Sequence, residues 1–501
     1  MTISFPNIPQ NLRVPLFYAD IDPRNANTGQ PTLRALIIGQ VTGAGSATPN
    51  VPQICQGVSD AKTVGGQGSM LALMTAAYRT RDQFSEIWYL PLADDPAAVA
   101  ATGSLNFTAA ATAAGVLSLY IAGVRVSLSV SSSQTPAQLA TSLAAAINAM
   151  GDLPVTAAVD GTTTSKVNIT AKNKGAGGND IDLRLNYLGT AGGEATPTGL
   201  TVAIVAMASG ATNPSLTAAL ANLGDKTFDF IALPYNDTTS LNSIKSFLST
   251  QTGRWSWAQQ LYGGAYGAYR GTLAACQTFG ATRNDEHVSI MGFNDSPSPN
   301  WIWAADITAA VAVSAQADPA QPLQTVTLGT VLAPPVQSRF QLTDRNTLLY
   351  TGISTFTVAD DGTVAIENLI TTYQLNSFGQ PDNSYLEVET MNTLAYVLRR
   401  LKSVVTTKYA RVKLAANGTR LTAGNNVVTP NMIRADLIAD YQAMEESGYV
   451  QGSAQFAQGL VVQQNSSNPN RVDVLYPAVL IDQLRIFALL MQFSNQVTAA
   501  A

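Results

Sequence analysis

Charge is scarce in this sequence. Of 501 residues, 28 are Lys or Arg and 33 are Asp or Glu, 12% in all, about half the ~25% common in soluble globular chains. The balance of −5 is acidic and no long Lys/Arg run occurs, which excludes nucleic acid as an expected partner. Apolar residues make up 46%, enough to build cores rather than remain disordered. A surface this poor in charge is expected to be covered in part by other chains. The two cysteines, Cys55 and Cys276, lie far apart, which excludes a disulfide framework and leaves two reduced, buried thiols as the expectation. The most apolar stretches, 200–208 and 484–493, are about half the ~18 residues that cross a bilayer, so no membrane insertion is expected. The opening MTISFPNIPQNLRV has neither a basic segment nor the apolar core of an export signal, and synthesis in a cytoplasm is the expectation.

Histidine occurs once, as His287. Ser-His-Asp hydrolysis, Cys-His catalysis and multi-histidine metal sites would all compete for that residue. It sits in RNDEHVS, where Asp285 and Glu286 would raise its pKa, yet a polar loop entering a strand explains the same residues. No GxSxG elbow occurs. GQVTGAG at 39–45 departs from GxGxxG spacing and is followed by ATPNVP rather than a helix, so phosphate binding is not expected there. Pairs such as Asp94/Asp95 and Asp360/Asp361 sit beside Pro or Gly and read as turn formers. No catalytic residue, cofactor or metal cluster is expected.

The first thirty-one residues hold Pro6, Pro9, Pro15, Pro23 and Pro31, each of which fixes its own φ and moves its predecessor out of helical space. That is an extended arm, residues 1–31. Inside it VPLFYADID, with Val14, Leu16, Phe17 and Tyr18, has strand character and no hairpin partner, so its backbone donors require a sheet edge, either in this subunit or in a neighbour. Segments 33–39, 68–78 and 86–90 read as strand, helix and strand, the last closed by Pro91. From about Pro96 to Met207 the composition turns to Ala, Thr, Gly and Ser, which marks an inserted, peripheral α+β domain, 96–207, with a hairpin around Gly123 and a helix begun by Thr135 and Pro136. Strand–helix character resumes at 229–234, 240–249 and 287–293, so the α/β core, 32–95 plus 208–350, is discontinuous. A C-terminal α/β domain, 351–470, follows, with a hairpin turning at Asp361–Gly362 and helices expected over 391–414 and 430–447. The series Gly263, Gly267 and Gly271 reads as a close helix approach or as a loop, and Trp255/Trp257 and Trp301/Trp303 as pairs on one face of extended segments. The last piece, 471–501, is a strand-like arm with Leu484, Ile486, Phe487 and Leu489. Between Tyr396 and Arg420 seven basic residues occur with no acid; Arg399, Arg400 and Lys402 are either a solvated face or a contact face for an acidic partner.

Four ordered segments carry a resemblance: DPAQPLQTVTLGTVLAPP, NTLLYTGISTFTVADDGTVAIENLITTY, GQPDNSYLEVETMNTLAYVLRRL and NPNRVDVLYPAVLIDQLRIFALLMQF, preceded by ISFPNIPQNLRVPLFYADID. They resemble the tail sheath proteins of contractile-tailed, Mu-like bacteriophages along essentially the whole chain. The resemblance implies a non-enzymatic structural subunit of a virion tail with a core of subtilisin-like fold. It implies stacked rings of one protein around a tail tube, contact with baseplate and tail terminator proteins, and terminal arms that complete β-sheets in neighbours. A hydrolase of the same core fold and the sheath of a phage-derived bacteriocin are the alternatives, the first undercut by the missing triad.

Overall fold

The computed structural model describes residues 33–420, 426–493 and 495. The fold is a mixed α/β arrangement of several sheets. Its centre is a six-stranded sheet in the spatial order Val288–Phe293, Gly264–Arg270, Phe230–Ala232, Ala35–Gln40, Ile87–Leu92, Gln53–Ile54. The first five are parallel and the short Gln53–Ile54 edge is antiparallel. Numbered along the chain, the parallel strands lie in the order 2-1-3-4-5, a doubly wound arrangement that places helices on both faces. Every residue of Ala35–Gln40 and of Val288–Phe293 is buried, as expected of strands covered on both sides.

Met70–Arg81 and Asn300–Ala317 pack on each other and against this sheet. Ser69 caps the first, its hydroxyl accepting from the Ala72 amide. Trp301 and Trp303, expected on an extended segment, lie instead in the second, with both indoles buried. Most of that helix is buried between sheet and neighbours, polar Asn300, Asp306 and Thr308 included, so no amphipathic period marks it in the sequence. Gly263, Gly267 and Gly271 likewise belong to no helix approach: Gly264–Arg270 is a strand. A Cβ at Gly263 would run into the Phe228 carbonyl and one at Gly267 would press on Ile290 at 3.0 Å, so close backbone approach explains the glycines. The strand at Ile87–Leu92 passes through Pro91 rather than stopping before it, tolerated because the outer Gln53–Ile54 strand pairs only as far as Tyr89.

Residues 102–208 form a four-stranded and a three-stranded antiparallel sheet around the helix Pro136–Ala149. The hairpin Gly115–Ile121/Val124–Val130 turns on Ala122 and Gly123, both at positive φ, the two-residue geometry that suits strand twist. Thr135 and Gln138 make a reciprocal capping box with Pro136 in the first turn. The insertion shares one continuous apolar core with the main sheet and is bonded to it. Asn173 accepts from the Met70 amide at 2.9 Å and donates to the Val41 carbonyl at 3.0 Å, and Arg270 donates to the carbonyls of Asp180, Ser296 and Ser298.

The hairpin Thr355–Val358/Val364–Asn368 adds Phe356, Val364 and Ile366 to the same core. A second, smaller core gathers Val397, Ile433, Leu437, Tyr441, Met444, Val450, Phe456 and Leu460. It lies between two helices, Val388–Tyr409 and Pro430–Glu446, the latter capped by Thr429 and followed by Gly448 at φ 77°. The first helix was expected to reach Leu414 and stops at Tyr409. Four β-branched residues, Val404 to Thr407, weaken its last turns, and Lys413–Leu414 pairs instead with Val427–Val428.

Candidate functional site

Three places bear on function. The first surrounds His287, at the entry of the Val288–Phe293 strand. Its ring lies parallel to Trp255 at 4.4 Å, with Nε2 3.4 Å from Glu286 Oε1. Burial pulls its pKa below the ordinary imidazole value, with Glu286 opposing. Neither ring nitrogen has a hydrogen-bond partner among the described residues. The hydroxyl two residues on, Ser289, bonds Ser354 at 3.1 Å rather than the imidazole. A nucleophile–base pair needs a hydroxyl or thiol on the ring nitrogen, and here the ring meets an indole. The Tyr89 hydroxyl donates to the Cys55 sulfur at 2.8 Å, and burial pushes the Cys276 thiol up to about 12. Both thiols are buried. Among the described residues no group of three or more His, Cys, Asp or Glu could hold a metal ion, and no helix is long and apolar enough to cross a membrane.

The second place is the basic stretch. The helix Val388–Tyr409 that carries most of it packs inward through Met391, Ala395 and Val397. Arg399 reaches the core sheet, where it pairs with the buried Asp229 and donates to the Tyr262 carbonyl at 2.7 Å. Burial raises the Asp229 pKa, with Arg399 opposing. Arg400 pairs with Asp440 of the Pro430–Glu446 helix at 2.9 Å. Two of the three basic candidates therefore meet acids of their own chain, and Lys402 is the exposed one. The physical reason is that the helix lies between the two cores, so neighbouring positions along it face different partners inside the subunit.

The third place is the C-terminal segment. Val472–Leu475 pairs antiparallel with Val461–Gln464, and the chain then passes Val450, which bridges Leu480. From Ile486 to Phe493 it has no regular secondary structure and no hydrogen bond to another described residue. Leu484 is 68% exposed, Ile486 82%, Phe487 78% and Leu489 76%, and Leu490, Met491 and Phe493 are equally open. Soluble surfaces rarely carry so many adjacent apolar groups without a partner, and unpaired extended backbone is a template for strand addition. The N-terminal candidates Val14, Leu16, Phe17 and Tyr18 lie outside the described residues. Leu490, Met491 and Phe493 were not among the arm residues read from the sequence, although the apolar run 484–493 contained them. Arg485, the only charge after Asp482, was also passed over.

The family described as phage tail sheath protein, central domain, matches residues 209–372, and the one described as phage tail sheath C-terminal domain matches residues 380–494. The chain is 40% identical to the Mu-like prophage FluMu tail sheath protein of Haemophilus influenzae, over 98% of this chain and all of that one. Among solved structures it is similar to a sheath tail protein of Desulfitobacterium hafniense, with 13% identity, a TM-score of 0.48 and coverage of 93% and 97% of the two chains. It is also similar to the helical sheath of the anti-feeding prophage in its contracted state, with 10% identity, a TM-score of 0.46 and coverage of 97% and 100%.

Proposed function

Because the chain belongs to the phage tail sheath family and is a structural subunit of a contractile tail sheath, we propose that its two ends are strands made for other copies of itself. The observation that carries this reading is the segment 486–493, whose side chains are exposed and, Gln492 apart, apolar, and whose backbone is unpaired among the described residues. Added to a neighbour's sheet edge, it satisfies its amides and covers its side chains in one step. The N-terminal run with Val14, Leu16, Phe17 and Tyr18 does the same at another edge. Copies linked in this way stack as rings around a tail tube, and the stack ends on baseplate and terminator proteins.

The chain is made in the host cytoplasm and acts in the virion tail. Contraction that drives the tube through the host envelope needs no nucleotide. The energy resides in interfaces that are less stable in the extended lattice than in the contracted one, and paired arms keep the lattice connected while the globular parts move. The parallel sheet flanked by helices on both faces supports a core related to the subtilisin fold, and the His287 surroundings support its use as a scaffold rather than a hydrolase. Negative-stain electron microscopy of the purified full chain tests the reading: tubes or stacked rings are expected. Single particles at every concentration, or labelling by a serine-hydrolase probe, would overturn it.

A further inference from the structure

The C-terminal segment does not leave the subunit gradually. Up to Arg485 it is tied down: the Ile481 amide donates to the Tyr449 carbonyl, and Gln451 donates to Asp482 at 3.0 Å and to the Leu480 carbonyl. Gln324 donates to the Leu484 carbonyl at 3.2 Å. The last tie is the strongest. Arg485 Nη2 donates to Glu387 Oε2 and to Glu389 Oε2, both at 2.7 Å. The guanidinium is mostly buried and Glu389 almost wholly so. Glu389 is fixed in turn, because its other oxygen accepts from the Leu323 amide at 2.7 Å. Both acids sit at the N-terminal end of the Val388–Tyr409 helix, where negative charge is favoured and an arginine can neutralise the pair. From the next residue on, 486–493, the chain has no hydrogen bond to another described residue.

We propose that Arg485, gripped by Glu387 and Glu389, is a clasp that fixes where the exchanged strand starts. This rests on the reading that residues 486–493 are donated to a neighbour. A donated strand must enter its acceptor sheet in one register, since a slip of one residue turns every side chain to the opposite face. Alternation places Phe487, Leu489, Met491 and Phe493 on one face and Ile486, Ala488, Leu490 and Gln492 on the other, so the two registers are not equivalent. A root anchored at residue 485, on the helix that joins the two cores, sets that register from the donor's side. Arg485 is thus a positioning residue for assembly, acting through the strand that follows it.

The test uses trypsin on the full-length chain. Arg485–Ile486 is the last Lys or Arg site in the sequence, and the protease must take the Arg485 side chain that the clasp holds, so cleavage reports clasp opening. In the unassembled subunit, Glu387→Gln should speed release of residues 486–501 about tenfold, the weight of one charge-assisted hydrogen bond, while other cleavages keep their rates. Its tubes should show irregular subunit spacing by electron microscopy. Arg485→Lys keeps the charge and the cleavage site, but its ammonium ends one atom short of Nη2, the nitrogen that makes both contacts, and should fall between the parent and Glu387→Gln. Parent-like cleavage and parent-like tubes in both variants would overturn the clasp. A chain ending at Arg485 checks the underlying reading separately: if it still forms tubes, strand donation fails, whatever the trypsin rates show.

Discussion

Leu489→Ala separates assembly from folding. Leu489 is 76% exposed in the subunit, so its truncation removes almost no packing from the isolated chain. In a donated strand it shares a face with Phe487, Met491 and Phe493, the more apolar of the two faces and the one expected to be covered. Fully burying a leucine stabilises by about 1.5–3 kcal/mol relative to leaving it exposed. Truncation to alanine removes most of that, about 2 kcal/mol per interface, or roughly 30-fold in the association constant. The assay is the critical concentration for tube formation by sedimentation, read beside thermal unfolding of the unassembled subunit. Leu437→Ala is the opposite control, because Leu437 is 3% exposed within the smaller core and its truncation should cost the subunit about 2–5 kcal/mol. An unchanged critical concentration for Leu489→Ala, or a loss of subunit stability near that of Leu437→Ala, would refute the reasoning.

Arg399→Glu should lower subunit stability by about 3 kcal/mol, since it strands the buried Asp229 carboxylate beside a second acid. Lys402→Glu should leave the melting temperature unchanged and alter only the salt dependence of assembly, checked by calorimetry and by sedimentation across a salt series. Asn173→Ala, which removes the bonds to Met70 and Val41, should cost about 2–3 kcal/mol in denaturant unfolding; no change would mean the insertion is not held to the core through that side chain. For His287 the folded pKa lies below the unfolded value of ~6.5, so the unfolded state binds the proton more tightly. Stability should be full above that value and fall as pH drops through the window towards the folded pKa, by at most about 1.4 kcal/mol per pH unit. The chain's one imidazole resonance and unfolding of His287→Gln, whose profile should be flatter there, check it.

Features set by adjacent residues were legible in the chain. Thr135-Pro136 and Thr429-Pro430 mark helix starts because a capping oxygen and a proline act on the next turn alone. Gly123 and Gly362 mark hairpins because positive φ is a property of single residues. The apolar run 484–493 is contiguous in the sequence, and its large side chains are exposed in the subunit. The sequence motifs also carried the family, through ordered segments along the whole chain.

What tertiary structure decided depends on partners remote in sequence. Gly264–Arg270 is a strand only because Phe230–Ala232 and Val288–Phe293 flank it, and its glycines answer to Phe228 and Ile290 rather than to any local turn. Trp301 and Trp303 lie in a helix buried over most of its length, where burial erases the period that would have revealed it. Arg399 and Arg400 read as one basic face, yet packing between two cores sends one to Asp229 and the other to Asp440. Nothing in the sequence around Arg485 points to Glu387 and Glu389, about a hundred residues away, and only the fold brings them beside it. Local propensity acts over about one turn, whereas pairing of strands and of buried charges depends on which distant segments the core brings together.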